Sequence, residues 1–415
     1  MSSSANKFST PDNTVGSLNG FFKEVYADKL KELIPDGVQL MKLIKFNEKT
    51  KQPGNLYHQP VVLGLEHGVT FASADDDAFS LNAPIASQIK DAQVRGCPAV
   101  LRSLLGYAAA SRAVGGQAAF MDATKYVVSN MLRSMTKKLE IELLYGQMGY
   151  ATVASNSGAV LTITTAEWSP GIFAGAEGMP IEVRDTTGAT SKGEATISAV
   201  DMDLRTITLV TSLGALTAGD VIWHKGGYGN EFAGIHKILT TSSGTLFNIN
   251  VANYGIFRGN SYAAGSAALS FTKLNLATSR AVEKGLDGKL TAMVNPRAWA
   301  NMLSDQAALR KYDSSYSSSK AETGSKSILF HSQNGEIEIV PSIYIKEGYA
   351  YLLDLSAWMR VGSQEISFKM PGSGEDYVLH RPDQAGYEIR LFSDMALFCH
   401  RPGTSVVVTG IVNSN

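Results

Sequence analysis

One apolar stripe, longer than an ordinary helix offers, most limits what this chain can fold into. Phe120, Val127, Val128, Met131, Met135, Leu139 and Leu143 recur at helical spacing within residues 117–147, which predicts a single amphipathic helix. At 1.5 Å per residue it would be roughly 45 Å long, against a mean helix of about 11–12 residues. Lys125, Arg133, Lys137 and Lys138 interrupt its other face, so it is expected to run along a surface rather than through a core. Its methionines read as packing rather than as a ligand groove.

The order of parts around this helix is equally constraining. A polar-rich fold-back hairpin, 55–90, precedes it, with extended limbs at 57–65 and 69–81 around Gly64 and Gly68. A compact β-rich stretch, 152–225, follows, then a mixed α/β region. Two extended segments, 364–381 and 387–409, end the chain. An enzyme usually centres its chemistry on one core. This layout spreads the chain into arms whose apolar faces can be buried only against other copies.

With 415 residues the chain exceeds the ~250–300 at which single cores stop growing, so at least two packed units are expected. Charged residues make up 18%, below the roughly 25% of typical domains, which suggests large buried subunit contacts. A formal charge of −1 argues against a tight grip on polyanions. The two cysteines, Cys97 and Cys399, are expected as free thiols of a reducing cytosol rather than as a disulfide. The opening MSSSANKFSTPDN has no apolar core of a secretion signal, and no run approaches a membrane span.

Residues 1–19 read as a mobile Ser/Asn/Thr-rich arm. Phe21, Phe22, Val25, Tyr26, Leu30, Leu33 and Ile34 follow at helical spacing, from an Asn19 cap to Pro35-Asp36-Gly37. Residues 38–46 are apolar and extended or helical. Residues 97–113 form a second helical candidate, closed by Gly115-Gly116. Short β-rich runs at 159–164, 180–185, 195–201, 205–210 and 220–225, separated by turn signals, predict a small sandwich or barrel. Helices are expected at 271–284 and at 296–311, the latter started by Asn295-Pro296. Strands are expected at 290–294, 335–340, 349–354, 364–370, 377–381, 387–400 and 405–412, with a long Ser-rich loop at 312–326.

Motifs that carry chemistry are not found. The seven histidines include no His-x-x-x-His pair, and neither cysteine belongs to a Cys-x-x-Cys pair. The Gly226-Gly227-Tyr228-Gly229-Asn230 run lacks the Gly-Lys-Ser/Thr ending of a phosphate cradle, and no Gly-x-Ser-x-Gly elbow is present. Asp75-Asp76-Asp77 lacks the spaced ligands of a calcium loop and reads as a solvated tip. Glu140 and Glu142 lie two apart on a helix and so face different directions. No catalytic residue, metal or cofactor is expected. The alternative of a different class is a monomeric enzyme or sugar-binding module, with Trp168, Trp223 and Tyr228 of the β-rich stretch stacking on a sugar ring.

Two segments carry a resemblance: FKEVYADKLKELIPDGVQLMKLIKF (22–46), and YEIRLFSDMALFCHRPGTSVVVTGIV (387–412) preceded by AWMRVGS (357–363). The chain resembles the major capsid proteins of tailed bacteriophages, which have the α+β Hong Kong 97-type capsid fold. The resemblance implies an N-terminal arm and helix at 1–54 and an extended hairpin loop at 55–90. It further implies the spine-helix region of a peripheral domain at 91–150, an inserted small β-barrel or sandwich at 151–232, a mainly axial domain at 233–363, and peripheral strands at 364–415. Inter-subunit contacts would come from Val69, Phe71, Asp75, Asp76, Asp77, Phe79 and Leu81 on the hairpin. Tyr312, Tyr316, Lys320 and Lys326 would lie on a loop at the capsomer axis, and Arg381, Asp383 and Gln384 at a peripheral-domain turn. The implied partners are copies of the chain in pentamers and hexamers, a separate scaffolding protein, a portal, a decoration protein and enclosed double-stranded DNA, with no membrane. The implied place is the virion, assembled in host cytoplasm. An encapsulin-like shell shares the same fold.

Overall fold

The computed structural model describes residues 37–47, 56–106, 123–303, 328–332, 335–369, 378–380 and 386–413. Expectations for the N-terminal arm, its helix and the 312–326 loop fall outside them. The described chain begins with a four-residue helix, Leu40–Leu43, followed by β1 (Tyr57–Gly64), β2 (Gln88–Val94) and β3 (Cys97–Gly106). The long helix is described over Ala123–Tyr145. Six strands come next: β4 (Ala151–Ser157), β5 (Val160–Ile163), β6 (Pro180–Arg184), β7 (Ser191–Asp201), β8 (Thr206–Leu209) and β9 (Val221–His224). After a helix at Ile235–Thr240, the small pair β10 (Thr245–Leu246) and β11 (Ile249–Asn250) precedes β12 (Asn260–Ala267). Then come helix Phe271–Val282, β13 (Leu290–Val294), helix Pro296–Leu303, β14 (Ile328–Ser332), β15 (Gly335–Pro341), β16 (Ala350–Leu353), β17 (Trp358–Ser367), β18 (Val378–His380), β19 (Gly386–Cys399) and β20 (Val406–Ile411).

Two sheets form the body. In the first, β19 is the centre: it pairs antiparallel with β3 from Gly386↔Gly106 to Met395↔Cys97, and with β17 and β18 on its other side. Ile389, Leu391, Ser393 and Met395 alternate inward, after which Ala396 to Cys399 are buried on both faces. Period-two burial is what a sheet covered on one side requires, and continuous burial marks coverage on both. The long helix covers this sheet with Met131, Met135 and Leu139, all buried, and Val127 and Val128, half-buried. The second sheet is mixed, in the order β12-β20-β16-β13-β15-β14. Its β13 reads LTAMV and is buried throughout, as a central strand between parallel and antiparallel neighbours should be.

Residues 97–106 are a strand where the sequence predicts a helix. Leu, Ala and Arg favour helix locally, but exposure along β3 alternates, with Pro98, Val100, Arg102 and Leu104 outward. Pairing with β19 along the strand overrides the propensity. The long helix also departs from a surface-running reading. Leu139, Glu140, Ile141, Leu143, Leu144 and Tyr145 are all buried, so its last two turns pass through the core.

The six strands β4-β5-β8-β7-β6-β9 close into an antiparallel barrel, which leaves no unpaired edge. Val153, Leu161, Ile163, Ile181, Val183, Ile197, Ile207, Leu209 and Ile222 are buried. The five expected β-rich runs overlap five of these strands, although β7 begins at Ser191, four residues before its expected run, and Ala151–Ser157 adds the sixth. The chain enters and leaves this barrel at one point, where the Gly234 N–H donates to the Gly146 carbonyl at 3.0 Å. A Cβ on Gly234 would stand 2.5 Å from the Gly146 nitrogen and 2.7 Å from the Glu142 carbonyl oxygen. Glycine is needed there for close approach of two backbones. Gly234→Ala should therefore cost about 1–3 kcal/mol, as overpacking does. Urea denaturation checks this, and an unchanged midpoint would show that the neck yields.

Candidate inter-subunit surface

The hairpin has an ordered stem and an irregular tip. β1 and β2 pair from Tyr57↔Val94 to Gly64↔Gln88, with a bulge between Val62 and Gly64. A cross-strand hydrogen bond joins His58 Nδ1 to Asp91 Oδ2 at 2.6 Å. Hydrogen bonds from Gln93 and His58 hold the Asp91 carboxyl below its usual range. The root is fixed to the body: the Gln93 N–H donates to the Phe247 carbonyl at 3.0 Å, and the Tyr254 hydroxyl to Gln88 Oε1 at 2.9 Å.

Beyond Gly64 the ladder stops, so 69–81 is not the strand that its pattern suggests. Pro84 has no N–H to give, and Gly68 and the Asp triplet weaken strand pairing. Three bonds hold the two limbs side by side instead. They are His67 N–H to Ile85 O at 3.1 Å, Asn82 N–H to Thr70 Oγ1 at 2.8 Å, and Asn82 Nδ2 to Val69 O at 2.9 Å. This brings Val69 and Phe71 alongside Leu81. Phe71 is 92% exposed and Leu81 80%, and Val69, Phe79, Leu65 and Ile85 are exposed as well. Asp75, Asp76 and Asp77 are solvated at the tip, where the Asp76 carboxylate accepts from the Ser73 N–H at 3.3 Å. The candidates Tyr312, Tyr316, Lys320, Lys326, Arg381, Asp383 and Gln384 lie outside the described residues.

Behind this surface, polar contacts that no sequence motif announces fix the body. The Glu140 carboxylate accepts from the backbone N–H groups of Gln39, Leu40 and Met41 at 2.8–2.9 Å. Arg360, almost fully buried, donates to the carbonyls of Ile44 and Met41 at 2.7 and 3.0 Å. Together they clamp the Leu40–Leu43 helix at both ends. Burial raises the Glu140 carboxyl above its usual range despite three amides that favour the charged form.

The barrel is sealed to the second sheet through residues 342–349. The Ile343 carbonyl accepts from Ser169 Oγ and the Gly171 N–H at 2.8 and 2.9 Å. Arg205 donates to both Glu347 carboxylate oxygens at 3.1 Å. Lys346 Nζ meets Glu167 Oε2 at 2.6 Å and lies 4.2 Å from the Tyr145 ring centre. Burial alone would raise the Glu167 carboxyl, but Lys346 and Tyr349 hold it below its usual range. Burial and the nearby Lys346 charge push His236, hydrogen-bonded to the Tyr351 hydroxyl at 2.8 Å, down to about 4.

A second buried cluster lies at the barrel neck. Glu142 accepts from the Phe232 N–H at 3.1 Å and Glu231 from the Gln147 N–H at 3.1 Å. Burial, reinforced by the Glu231 charge, pushes Glu142 up to about 8. Lys138 contacts the Met179 sulfur at 2.7 Å and faces the Tyr150 ring, and burial pushes it down to about 7.

The aromatic residues of the sugar-binding alternative are not presented to solvent together. Trp168 is 2% exposed and stacks on Phe173 at 4.9 Å, and Trp223 is buried. Tyr228 keeps one exposed side, but the Arg184 guanidinium covers its ring at 4.0 Å. Both cysteines are free, and burial raises each thiol, Cys97 to about 11.

No protein-family model and no characterised protein matches the sequence. Solved structures match by shape. A chain of the cyanophage A-1(L) capsid asymmetric unit superposes with a TM-score of 0.59 at 12% identity, over 96% of this chain and 99% of that one. A structure from Mycobacterium phage Bobi gives 0.51 at 10% identity, over 96% and 98%. At such identities the likeness is one of fold, and it runs nearly end to end. The chain has the α+β fold of a phage capsid subunit.

Two outcomes follow from the buried groups. Lys346→Met leaves the buried Glu167 carboxylate without its cation, with only the Tyr349 hydroxyl donating to it, which should cost about 3–5 kcal/mol, while adding Glu167→Gln should restore much of it. A double-mutant cycle by urea denaturation measures this, and additive losses would show that the pair is not coupled. Glu142 has a folded-state pKa raised from 4.5 to about 8. Its protonated form is favoured on folding, so its contribution is present below 4.5 and is lost as pH rises through 8. Glu142→Gln should melt like wild type at the acid end of this window and several degrees higher at its alkaline end. A pH-independent difference would contradict the burial argument.

Proposed function

We propose that this chain is the major capsid protein of a tailed phage, assembling through pentamers and hexamers into an icosahedral shell around double-stranded DNA. The observation that carries this reading is the hairpin tip, where Val69, Phe71, Phe79 and Leu81 stand exposed on one arm. Burying one large apolar side chain is worth roughly 1.5–3 kcal/mol, and this arm offers several to a neighbouring copy. Its contacts would be repeated by symmetry in every copy, so weak individual contacts add up. The edge strand β3, with Val100 and Leu104 outward, presents a second self-complementary surface. The near-zero formal charge suits a wall that contains DNA without holding it.

In this reading 55–90 is the overlapping hairpin, 91–150 the spine region, 233–363 mainly the axial domain and 364–415 the peripheral strands. The barrel, 151–232, is an insertion open to a decoration protein. Scaffolding and portal proteins complete the assembly, which takes place in the host cytoplasm. The loop with Tyr312, Tyr316, Lys320 and Lys326 would sit at the capsomer axis, and Arg381, Asp383 and Gln384 at the peripheral turn.

Phe71→Asp with Leu81→Asp tests the proposal. Both sites are exposed, so the subunit should stay folded with stability changed by no more than about 0.5 kcal/mol per site. Shells visible by negative-stain microscopy for the wild type should be lost or greatly reduced. Normal shells from the variant would remove the hairpin from the interface, and a wild-type chain that stays monomeric with its scaffold would overturn the function.

A further inference from the structure

A cleft of about 340 Å³ opens between the end of helix Ile235–Thr240, the start of β12 and the last turn of helix Phe271–Val282. Three cations line it, Arg258, Arg280 and Lys284, against one carboxylate, the exposed Glu283. Two of the cations are held in place. Lys284 Nζ donates to the Arg258 carbonyl at 2.7 Å and lies 3.5 Å from the Gly259 carbonyl. The Arg280 guanidinium donates to the Ser261 carbonyl and packs 5.3 Å from the Tyr262 ring centre. The floor is rigid, because the Gly259 backbone lies so close to Leu239 that a Cβ would stand 2.5 Å from its Cα.

An ammonium has three donors and a guanidinium five, so these carbonyls leave donors over on both residues. Among the described residues Arg258 has no carboxylate partner at all. Burial, and after it the Arg258 charge, lower the Lys284 pKa although the Glu283 carboxylate opposes them, so the positive charges outweigh the one carboxylate here. Capping of carbonyls accounts for Lys284 but leaves Arg258 and the surplus positive charge unexplained. We infer that the cleft binds a phosphate-type oxyanion between Arg258, Arg280 and Lys284, with the exposed Ser242 hydroxyl at its rim. Planar guanidinium forks and a fixed ammonium match tetrahedral oxyanions through charge-assisted hydrogen bonds. The inference is a property of the single subunit and does not depend on the assembly reading.

The source of the phosphate, free anion or nucleic-acid backbone, is separated by the test. The full chain is melted in rising inorganic phosphate against sodium chloride of equal ionic strength, then probed with a short fluorescent duplex DNA. Phosphate should raise the wild-type melting temperature saturably, and Arg258→Gln should weaken half-saturation at least tenfold. That variant loses no hydrogen bond among the described residues, whereas Lys284→Met also frees the Arg258 carbonyl and serves as a second variant. Duplex DNA that phosphate displaces from wild type but that fails to bind Arg258→Gln assigns the site to nucleic-acid backbone. Phosphate binding without such competition assigns it to the free anion. A wild-type response equal to that in chloride, or an unchanged response in Arg258→Gln, overturns the inference.

Discussion

The pairing of β19 with β3 is the constraint on which the remainder of the body depends. It joins residues 97–106 to residues 386–395, far apart in the chain. β17 completes the opposite side of β19, and the apolar stripe of Ala123–Tyr145 acquires a surface to cover only when this sheet exists. The next strand, β20, then passes into the middle of the second sheet, between β12 and β16. Neither sheet is complete until the final residues are in place. Contacts this far apart in sequence make folding slow and expose unpaired edges meanwhile.

The barrel is no loosely tethered appendage, because its contacts give it a fixed mounting. Gly146 and Gly234 cross in backbone contact, and residues 342–349 are bonded to Ala166, Trp168, Ser169 and Gly171. The ion pairs at this seam are desolvated, so their net worth against apolar packing is small, but they require one geometry. A well-satisfied body thus stands beside a hairpin tip whose apolar side chains Phe71 and Leu81 are 92% and 80% exposed among the described residues. That contrast, more than any single contact, separates the packed body from the part for which a recognition role is proposed.

Most strands were legible because they alternate or lie between turn signals: β13, β15, β16, β19 and β20 all coincide with expected runs. The strand β3 was not, since two of its outward positions, Val100 and Leu104, are apolar and the polarity does not follow the pleat. The tip of the hairpin read as a strand because its residues favour β structure, although Pro84 and the aspartates deny it a ladder. Glu140 and Arg360 were illegible for another reason. Their partners are backbone groups about 100 and 316–319 residues away, and a backbone amide leaves no mark in the sequence. The hairpin candidates came with the resemblance and not from composition; the three cations of the β12 cleft could be read from neither, because only the fold brings 258 to 280 and 284.

The exposed tip also limits how strong any contact through it can be. Ordering an irregular arm costs roughly 1–2 kcal/mol per residue fixed, which offsets much of what its few apolar side chains return on burial. The three cross-limb bonds at His67 and Asn82 reduce that cost by holding the limbs together beforehand. A contact of this kind is weak alone and reversible, and becomes durable only where geometry repeats it around a closed ring. A reversible contact lets misplaced copies leave before closure, which a deep, fully apolar interface would not.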